Sequence, residues 1–351
     1  MSAGYKAVTW TRSKLVYDLI LVAGVALYIA VFTKFASSYW SGGPMIQSRI
    51  IGMRAYGSCA FLMLTLILCI GPLARLDRRF LPLLYNRRHF GVLTFLVALY
   101  HAKQVLGLYY NFGEFTQLQG VFLSNSAGGF SSLTGFPFEV LGVLGLAILL
   151  LMAVTSHDFW LHFLTPRVWK GLHMLVYVAY GLIVMHVALG TLQSEEAPIY
   201  SILVGFNLVV VVSLHSITGW REWRRDAKAP TPAAGGGWLD AGALEDFRTD
   251  RARIVPVGGD ERVAVFRYDG KLSAVSNVCA HQGGPLGEGR IVDGCVTCPW
   301  HGYQYEPHNG TSPPPFEEKV PTYRLKLESG RVFVHTDALE PGTHVDPVIM
   351  G

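Results

Sequence analysis

Six long apolar runs limit most strongly what this chain can fold into. Each holds about 20 residues, the length that a helix needs to cross a bilayer. The composition agrees, since 51% of the residues are hydrophobic, only 15% are charged and the mean hydropathy is +0.33. The runs lie near residues 15–37, 54–74, 89–110, 137–157, 172–193 and 198–220. The sequence therefore predicts an all-α bundle of six transmembrane helices.

Basic residues predict how this bundle is oriented. Lys and Arg collect in cytoplasmic loops, and here the loops on one side carry only Lys34, Arg49 and Arg54. We therefore expect a multi-pass protein of the cell membrane with both termini in the cytoplasm. The residues assigned to the cytoplasmic side are Lys6, Arg12, Lys14, Arg75, Arg78, Arg79, Arg87, Arg88, Arg167, Lys170, Arg221, Arg224, Arg225 and Lys228.

A second, smaller domain follows the last apolar run. Residues 226–237 are rich in Pro, Ala and Gly, which predicts a semi-flexible tether. Beyond it, residues 262–268 alternate as in a β-strand, and Asp269-Gly270 is a typical hairpin-turn dipeptide. The predicted fold is thus multidomain, with these parts: a transmembrane domain over 1–225, a linker over 226–237, a small all-β domain over 238–338 and a tail over 339–351.

Charge changes sign at this tether. Residues 1–236 carry 18 Lys and Arg against 9 Asp and Glu, a net charge of +9. Residues 237–351 carry 11 against 16, a net charge of −5. We expect the acidic domain to dock on the basic membrane face, although positive-inside bias with an ordinary soluble surface is the alternative explanation. The basic residues expected at the docking surface are Arg75, Arg78, Arg79, Arg87 and Arg88.

Two short boxes in the last quarter carry metal-binding residue types. They are Cys279-Ala-His281 and, sixteen residues later, Cys298-Pro-Trp-His301. In a mixed-ligand [2Fe–2S] centre two thiolates bind one iron and two imidazoles bind the other, so each box supplies one ligand of each kind. A zinc site of two Cys and two His is the alternative. Cys295 does not have ligand spacing, and we expect a buried strand or loop thiol there.

This part of the sequence resembles the Rieske [2Fe–2S] family over about residues 238–338. The resemblance is to the ferredoxin-like and oxygenase-associated branch, because Gly284 and Trp300 replace the disulfide-bonded cysteines of the cytochrome bc branch. Tyr305 matches a tyrosine of the high-potential branch, but Tyr303 replaces its serine. Fewer hydrogen bonds to the cluster sulfurs imply a potential low in the range of about −150 to +300 mV.

Histidines inside the apolar runs predict a second type of redox centre. Ionisable residues in membrane helices are costly and usually mark function. His101 lies in the third run, and His173 and His186 lie in the fifth, about 20 Å apart along one helix. Inward-facing imidazoles from different helices are suited to bind a bis-histidine haem b.

The sequence around these histidines resembles the ferric-reductase-like transmembrane family over about residues 15–220. Within that family it is similar to the haem-binding membrane subunit of the methionine-sulfoxide reductase system. This resemblance implies that His101, His173 and His186 bind haem. The residues that carry it are Arg87-Arg-His-Phe-Gly91, Tyr100-His101, Trp169-Lys-Gly-Leu-His173, Tyr177 and His186.

Depth in the bilayer suggests how the histidines pair. His101 and His186 lie deeper and are expected to bind an outer haem. His89 and His173 lie at the cytoplasmic start of their helices and are expected to bind an inner haem, so the chain holds one or two haems. For His89 the alternative is an interfacial histidine beside two arginines, and His215 is an alternative ligand of the inner site.

The absence of certain cofactor-binding motifs limits the classes of oxidoreductase that we expect. No Gly-x-Gly-x-x-Gly turn is present, so no NAD or FAD domain is expected, and nothing indicates nucleic-acid binding. A β domain of about 110 residues also has no room for the mononuclear iron site of a Rieske oxygenase. We therefore expect an oxidoreductase that passes single electrons between a cytoplasmic Rieske cluster and haem b, with a redox partner protein or a quinone. The alternatives are a ferric or cupric metalloreductase at the outer surface and a redox sensor.

Overall fold

Two compact units make up the described part of the chain. One takes in Trp10–Phe163 and Gly171–Thr218, and the other takes in Leu164–Lys170 and Gly219–Gly351. The predicted linker 226–237 lies mostly outside the described residues. The computed structural model describes residues 12–36, 44–80, 83, 86–109, 116–123, 138–156, 158–190, 192, 198–227, 237–258, 261–281, 283–300, 302–314 and 316–350.

Helices dominate the chain up to the linker. The described α-helices are α1 (Arg12–Ala36), α2 (Pro44–Leu76), α3 (Arg87–Tyr109), α4 (Gln117–Leu123), α5 (Phe138–Val154), α6 (Asp158–His173), α7 (Val176–Leu189) and α8 (Pro198–Ala227). The fifth predicted run is divided, because the N–H groups of Met174 and Leu175 bond three residues back and tighten the turn between α6 and α7.

Five spans in the described helices are long and apolar enough to cross a membrane. The fourth predicted run instead forms α5, an apolar helix of 17 residues. At 1.5 Å per residue it reaches about 26 Å, slightly less than the hydrocarbon core of about 30 Å. The prediction of six spanning helices is therefore not confirmed. The five spans are Lys14–Ala36, Ser48–Leu76, Arg87–Tyr109, Val168–Leu189 and Tyr200–Arg224.

Helix α2 lies at the centre of this bundle and α1 at its edge. In the most apolar window of Ser48–Leu76, 56% of the residues are buried, whereas the window of Lys14–Ala36 has none. Helix α2 packs against α1 and α3, and α5 packs against α7 and α3. These contacts bring α3 and α7, which carry His101 and His186, into one core. Its buried residues are Phe61, Leu64, Leu68, Cys69, Phe95, Leu149, Ala179, Tyr180, Val204 and Val211.

The chain beyond the linker is a β domain with three antiparallel sheets, as expected from the alternating sequence. Their strand orders are β1-β10-β9, β11-β4-β3-β2 with β8 beside β4, and β5-β6-β7. The strands are β1 (Trp238–Ala243), β2 (Arg251–Gly258), β3 (Glu261–Tyr268), β4 (Lys271–Ser276), β5 (Arg290–Val292), β6 (Cys295–Thr297), β7 (Gln304–Tyr305), β8 (Thr322–Tyr323), β9 (Leu325–Glu328), β10 (Arg331–His335) and β11 (Val348–Ile349).

Tight turns set the register of these hairpins. Asp269 and Gly270 join β3 to β4 with φ values of 42° and 71°, which confirms the predicted turn. A two-residue turn with positive φ at both positions matches the right-handed twist of the strands, and Asp-Gly tolerates that conformation. The same geometry recurs at two further turns, Asp293-Gly294 and Ser329-Gly330.

Two hydrophobic cores fill the β domain, and the second one holds both box cysteines. The first contains Leu239, Phe247, Val263, Val265, Leu272, Tyr323, Val332 and Val334 among its members. The second contains Ala264, Phe266, Tyr268, Val275, Cys279, Leu286, Val296, Cys298, Tyr303, Tyr305 and Val320. Strand β3 contributes to both, because its successive side chains point to opposite faces of the sheet.

Candidate metal centres

The first box lies on a tight loop after β4. The Cys279 N–H donates to the carbonyl oxygen of Gly284 at 2.9 Å, and the Gly283 N–H donates back to the Cys279 carbonyl oxygen at 2.7 Å. Gly283 has a φ of +68°, a conformation that favours glycine. The loop therefore presents Cys279 and His281 within one closed turn.

The second box forms a loop with the same hydrogen-bond pattern. The Cys298 N–H donates to the Tyr303 carbonyl oxygen at 2.8 Å, and the Gly302 N–H donates to the Cys298 carbonyl oxygen at 2.9 Å. Gly302 has a φ of +69°, within a degree of its counterpart in the first loop. The two boxes are thus two copies of one turn, as a centre with one Cys and one His from each loop requires.

The three predicted ligands that the structure describes are of the two types, thiolate and imidazole, that a mixed centre needs. Cys279 and Cys298 are each 1% exposed, and the Nδ1 atom of His281 is buried. His301, the fourth predicted ligand, lies outside the described residues. Within the described part of the chain, no three His, Cys, Asp or Glu side chains converge in a metal-binding group.

Gly284 of the first loop packs closely against the second loop. A Cβ on Gly284 would lie 2.8 Å from the Cys298 Sγ atom and 3.1 Å from the ring of Trp300. Glycine therefore fits this contact between the two loops, whereas a larger residue would displace Cys298 or Trp300. The five cysteines of the chain, all of them among the described residues, form no disulfide with one another.

Tyr305 makes direct hydrogen bonds to the first loop. Its hydroxyl accepts from the His281 N–H at 3.3 Å and lies 3.2 Å from the Cys279 Sγ atom. If Cys279 binds the cluster as a thiolate, its sulfur can only accept, and the phenol proton of Tyr305 is then the donor. Burial, and next the Cys279 thiol, raise the pKa of Tyr305, so the phenol stays protonated as a donor.

Tyr303 has a different role from the serine that it replaces. Its hydroxyl donates to Glu318 rather than to a cysteine. Its ring stacks on the His281 imidazole, with centroids 4.7 Å apart and planes 10° from parallel. Burial, and next Glu318, raise the pKa of Tyr303. The sequence showed the missing serine, but the stacking and the partner Glu318 were not predicted.

Cys295 lies on β6, as expected for a strand thiol, but it is half-buried rather than buried. Burial, followed by Glu306 and Asp293, raises the pKa of this thiol. A raised pKa disfavours the thiolate, the form that binds metals.

In the membrane domain, His101 on α3 and His186 on α7 come together. Their ring centroids lie 6.5 Å apart, and the ring planes cross at 77°. Each Nδ1 atom contacts a backbone carbonyl oxygen, of Met53 at 2.9 Å for His101 and of Phe138 at 2.8 Å for His186. A carbonyl oxygen only accepts, so Nδ1 carries a proton in both rings, and Nε2 carries the lone pair when the ring is neutral. This is the tautomer of a histidine prepared to bind a metal through Nε2.

The other predicted histidines lie in different surroundings. His89 Nδ1 lies 2.9 Å from the carboxyl group of Asp18 on α1, and His173 Nε2 lies 3.3 Å from the Thr155 hydroxyl. His215 donates from Nδ1 to the carbonyl oxygen of Val211, four residues before it, and its Nε2 lies 3.0 Å from the Tyr177 hydroxyl. Among the membrane histidines, the described ring contacts pair only His101 with His186. Asp18 was not predicted, although an acidic residue in an apolar run is itself a signal.

Comparisons with known proteins agree with the two parts of the chain. The Rieske [2Fe-2S] domain model matches residues 237–324, and the ferric reductase like transmembrane component model matches residues 56–184. The anthranilate 1,2-dioxygenase ferredoxin subunit of Burkholderia cepacia is 33% identical over 99 residues, which cover 28% of this chain and 91% of that protein.

Two further relatives match over other lengths. Cholesterol 7-desaturase nvd 1 of Ciona intestinalis is 29% identical over 180 residues, which cover 48% of this chain but only 36% of the desaturase. A chain of the complex of reduced oxygenase and oxidized ferredoxin in carbazole 1,9a-dioxygenase is 23% identical, with 30% of this chain and 99% of that chain covered and a TM-score of 0.29.

These matches support a membrane oxidoreductase or electron-transfer role, and the Rieske domain supports a [2Fe–2S] cluster. Rieske domains act with redox partner proteins, and the apolar helices indicate a membrane setting. Since a ferredoxin subunit is matched at 33% identity over nearly its whole length, the chain belongs to the Rieske [2Fe–2S] family, and a ferric-reductase-like transmembrane component precedes that domain.

Proposed function

We propose that this protein passes single electrons between a cytoplasmic Rieske cluster and haem b bound in the membrane by His101 and His186. The pairing of these two rings carries the proposal. Both Nε2 atoms would be available to the haem iron, because each Nδ1 atom donates to a backbone carbonyl oxygen. The ring centroids lie 6.5 Å apart, so both histidines could bind one haem.

The surrounding side chains have distinct roles in this proposal. Cys279, His281, Cys298 and His301 hold the cluster, and Tyr305 donates to a ligand sulfur. The backbone carbonyls of Met53 and Phe138 orient the two haem ligands. When bound, the cluster and the haem each take up and release one electron. The proposed setting is the cell membrane, with the Rieske domain on the basic, cytoplasmic side.

A second, inner haem on His89 and His173 remains part of the proposal. Its expected ligands contact Asp18 and Thr155, so haem binding at Nε2 requires His173 to leave Thr155. The external electron carrier is a redox partner protein or a quinone. The similarity to a ferredoxin supports a redox partner protein, because that relative is named as a subunit of a dioxygenase.

The test is spectroscopy on the purified full-length protein. We expect a low-spin haem b spectrum and the paramagnetic signal of a mixed Cys/His [2Fe–2S] centre. His186→Ala should remove the haem that His101 and His186 hold and leave the cluster signal. His215→Ala is the matched control and should keep both, because hydrogen bonds engage both of its ring nitrogens. An unchanged amount of low-spin haem in His186→Ala, or stoichiometric zinc in place of iron, would contradict the proposal.

Rapid mixing separates the electron relay from the alternatives. After reduction of the cluster, the relay predicts haem reduction within the turnover time of a partner. A metalloreductase predicts steady turnover of a ferric or cupric chelate by the isolated protein. A redox sensor predicts that the two centres exchange electrons very slowly.

A further inference from the structure

The same type of hydrogen bond holds both candidate haem ligands. His101 donates from Nδ1 to the carbonyl oxygen of Met53 on α2, and His186 donates from Nδ1 to that of Phe138 on α5. In both cases the histidine follows its acceptor by 48 residues. The helix pairs α2–α3 and α5–α7 therefore present their histidines in equivalent ways.

A glycine lies four residues after each acceptor carbonyl. They are Gly57, after Met53, and Gly142, after Phe138. In an α-helix the carbonyl of residue i bonds to the N–H of residue i+4, so a ring that reaches this carbonyl must pass over residue i+4. Any side chain at that position lies in the path of the imidazole.

Both glycines are in direct contact with the rings. A Cβ on Gly57 would lie 2.8 Å from the Cε1 atom of His101, and one on Gly142 would lie 2.9 Å from the Cε1 atom of His186. Real Cβ atoms essentially never come this close to a ring atom. Two contacts therefore hold each imidazole in place. Its Nδ1 atom donates a hydrogen bond, and its ring packs against a glycine that has no side chain.

These constraints determine how the two rings face each other. Each ring is held by its own neighbouring helix, and the planes cross at 77°. We propose that Gly57 and Gly142 are positioning residues that lock the two axial imidazoles of the haem in crossed planes. The proposal rests on the haem of the proposed function and adds what sets its ligand geometry.

Crossed ligand planes have an electronic signature. Each axial imidazole interacts most strongly with the iron d orbital perpendicular to its plane. Parallel rings therefore split two of the d orbitals, whereas crossed rings leave them nearly equal in energy. Low-spin ferric haem with crossed rings gives a strongly anisotropic paramagnetic resonance signal with a large highest g value. Parallel rings give a rhombic signal with a smaller one.

The experiment is paramagnetic resonance spectroscopy of the oxidised full-length protein. We expect the strongly anisotropic signal in the wild type. Gly57→Ala and Gly142→Ala should each shift the highest g value downward or reduce the haem-to-cluster ratio several-fold, because the methyl group displaces one ring. The signal of the reduced Rieske cluster in the same sample measures how much folded protein is present.

Glycines on the same two helices supply the controls. Gly52 on α2 would place a Cβ 3.5 Å from the Gln104 side chain, and Gly145 on α5 would place one 3.0 Å from Ile183. Gly52→Ala and Gly145→Ala should keep the wild-type g values, even if the packing against Ile183 lowers stability.

The possible outcomes distinguish a failure of the proposed function from a failure of the crossed-plane inference. A wild type without haem contradicts the proposed function itself. A bis-histidine haem with a rhombic signal contradicts only the crossed-plane inference, and so does Gly57→Ala or Gly142→Ala protein with unchanged g values and haem content. If an alanine variant does not fold, the wild-type signal still decides whether the planes are crossed.

Discussion

Replacing Tyr305 with phenylalanine should lower the midpoint potential of the Rieske cluster by about 40 mV. The substitution removes one hydroxyl, which is directed to the Cys279 Sγ atom at 3.2 Å, and keeps the buried ring. Loss of a donor to a ligand sulfur destabilises the reduced cluster most, because reduction adds negative charge. The potential therefore falls.

The magnitude follows from the strength of this hydrogen bond. A hydrogen bond to a charged group contributes about 1.5–3 kcal/mol, and it is present in both oxidation states. If it is stronger by about 1 kcal/mol in the reduced state, the shift is about 40 mV, since 59 mV corresponds to a tenfold change for one electron.

The assay is a redox titration of the full-length protein, followed by the paramagnetic signal of the reduced cluster. Tyr323→Phe is the matched control, because Tyr323 is equally buried and its hydroxyl donates to Glu261 at 2.8 Å, away from both cysteines. Its potential should equal that of the wild type. An unchanged or higher potential in Tyr305→Phe would refute the assignment of the phenol proton to the sulfur.

Three further predictions test the haems, the docking and the core. A pyridine haemochrome assay should count two haems per chain if His89 and His173 bind the inner one, and then His173→Ala should halve the count; one haem in the wild type eliminates the inner site. Electron transfer from cluster to haem should slow as salt rises, and Arg79→Glu should slow it further at low salt; rates independent of both would contradict electrostatic docking. Leu272→Ala should lower the free energy of unfolding of the β domain by about 2–5 kcal/mol in denaturant titration, because the side chain is fully buried in the first core; a loss below about 1 kcal/mol would contradict that.

Local chemistry could be predicted from the sequence alone. The two boxes predict a centre of thiolates and imidazoles, because ligand type and spacing within a short loop depend little on the rest of the fold. Gly284 and Trp300 likewise determine that no disulfide forms, and Asp269-Gly270 determines a hairpin turn. The apolar runs predict membrane helices, but a length read from composition overestimated α5, which ends at Val154.

Contacts between distant segments were decided only by the tertiary structure. Sequence signals marked four membrane histidines as haem ligands. Among the described contacts, however, the helix packing brings only two of these rings together, those of His101 and His186. The depth of a residue along a helix can be read from its residue number. Which neighbouring helix its side chain faces depends on how the helices pack.

The same reason explains why Gly57 and Gly142 were missed. A glycine in an apolar helix is common and has no meaning by itself. It acquires one here because another helix brings an imidazole to the carbonyl four residues before it. Likewise, the sequence determined that Tyr303 replaces a serine, but only the fold brings Glu318 to its hydroxyl and His281 to its ring, because these contacts join separate loops across one core.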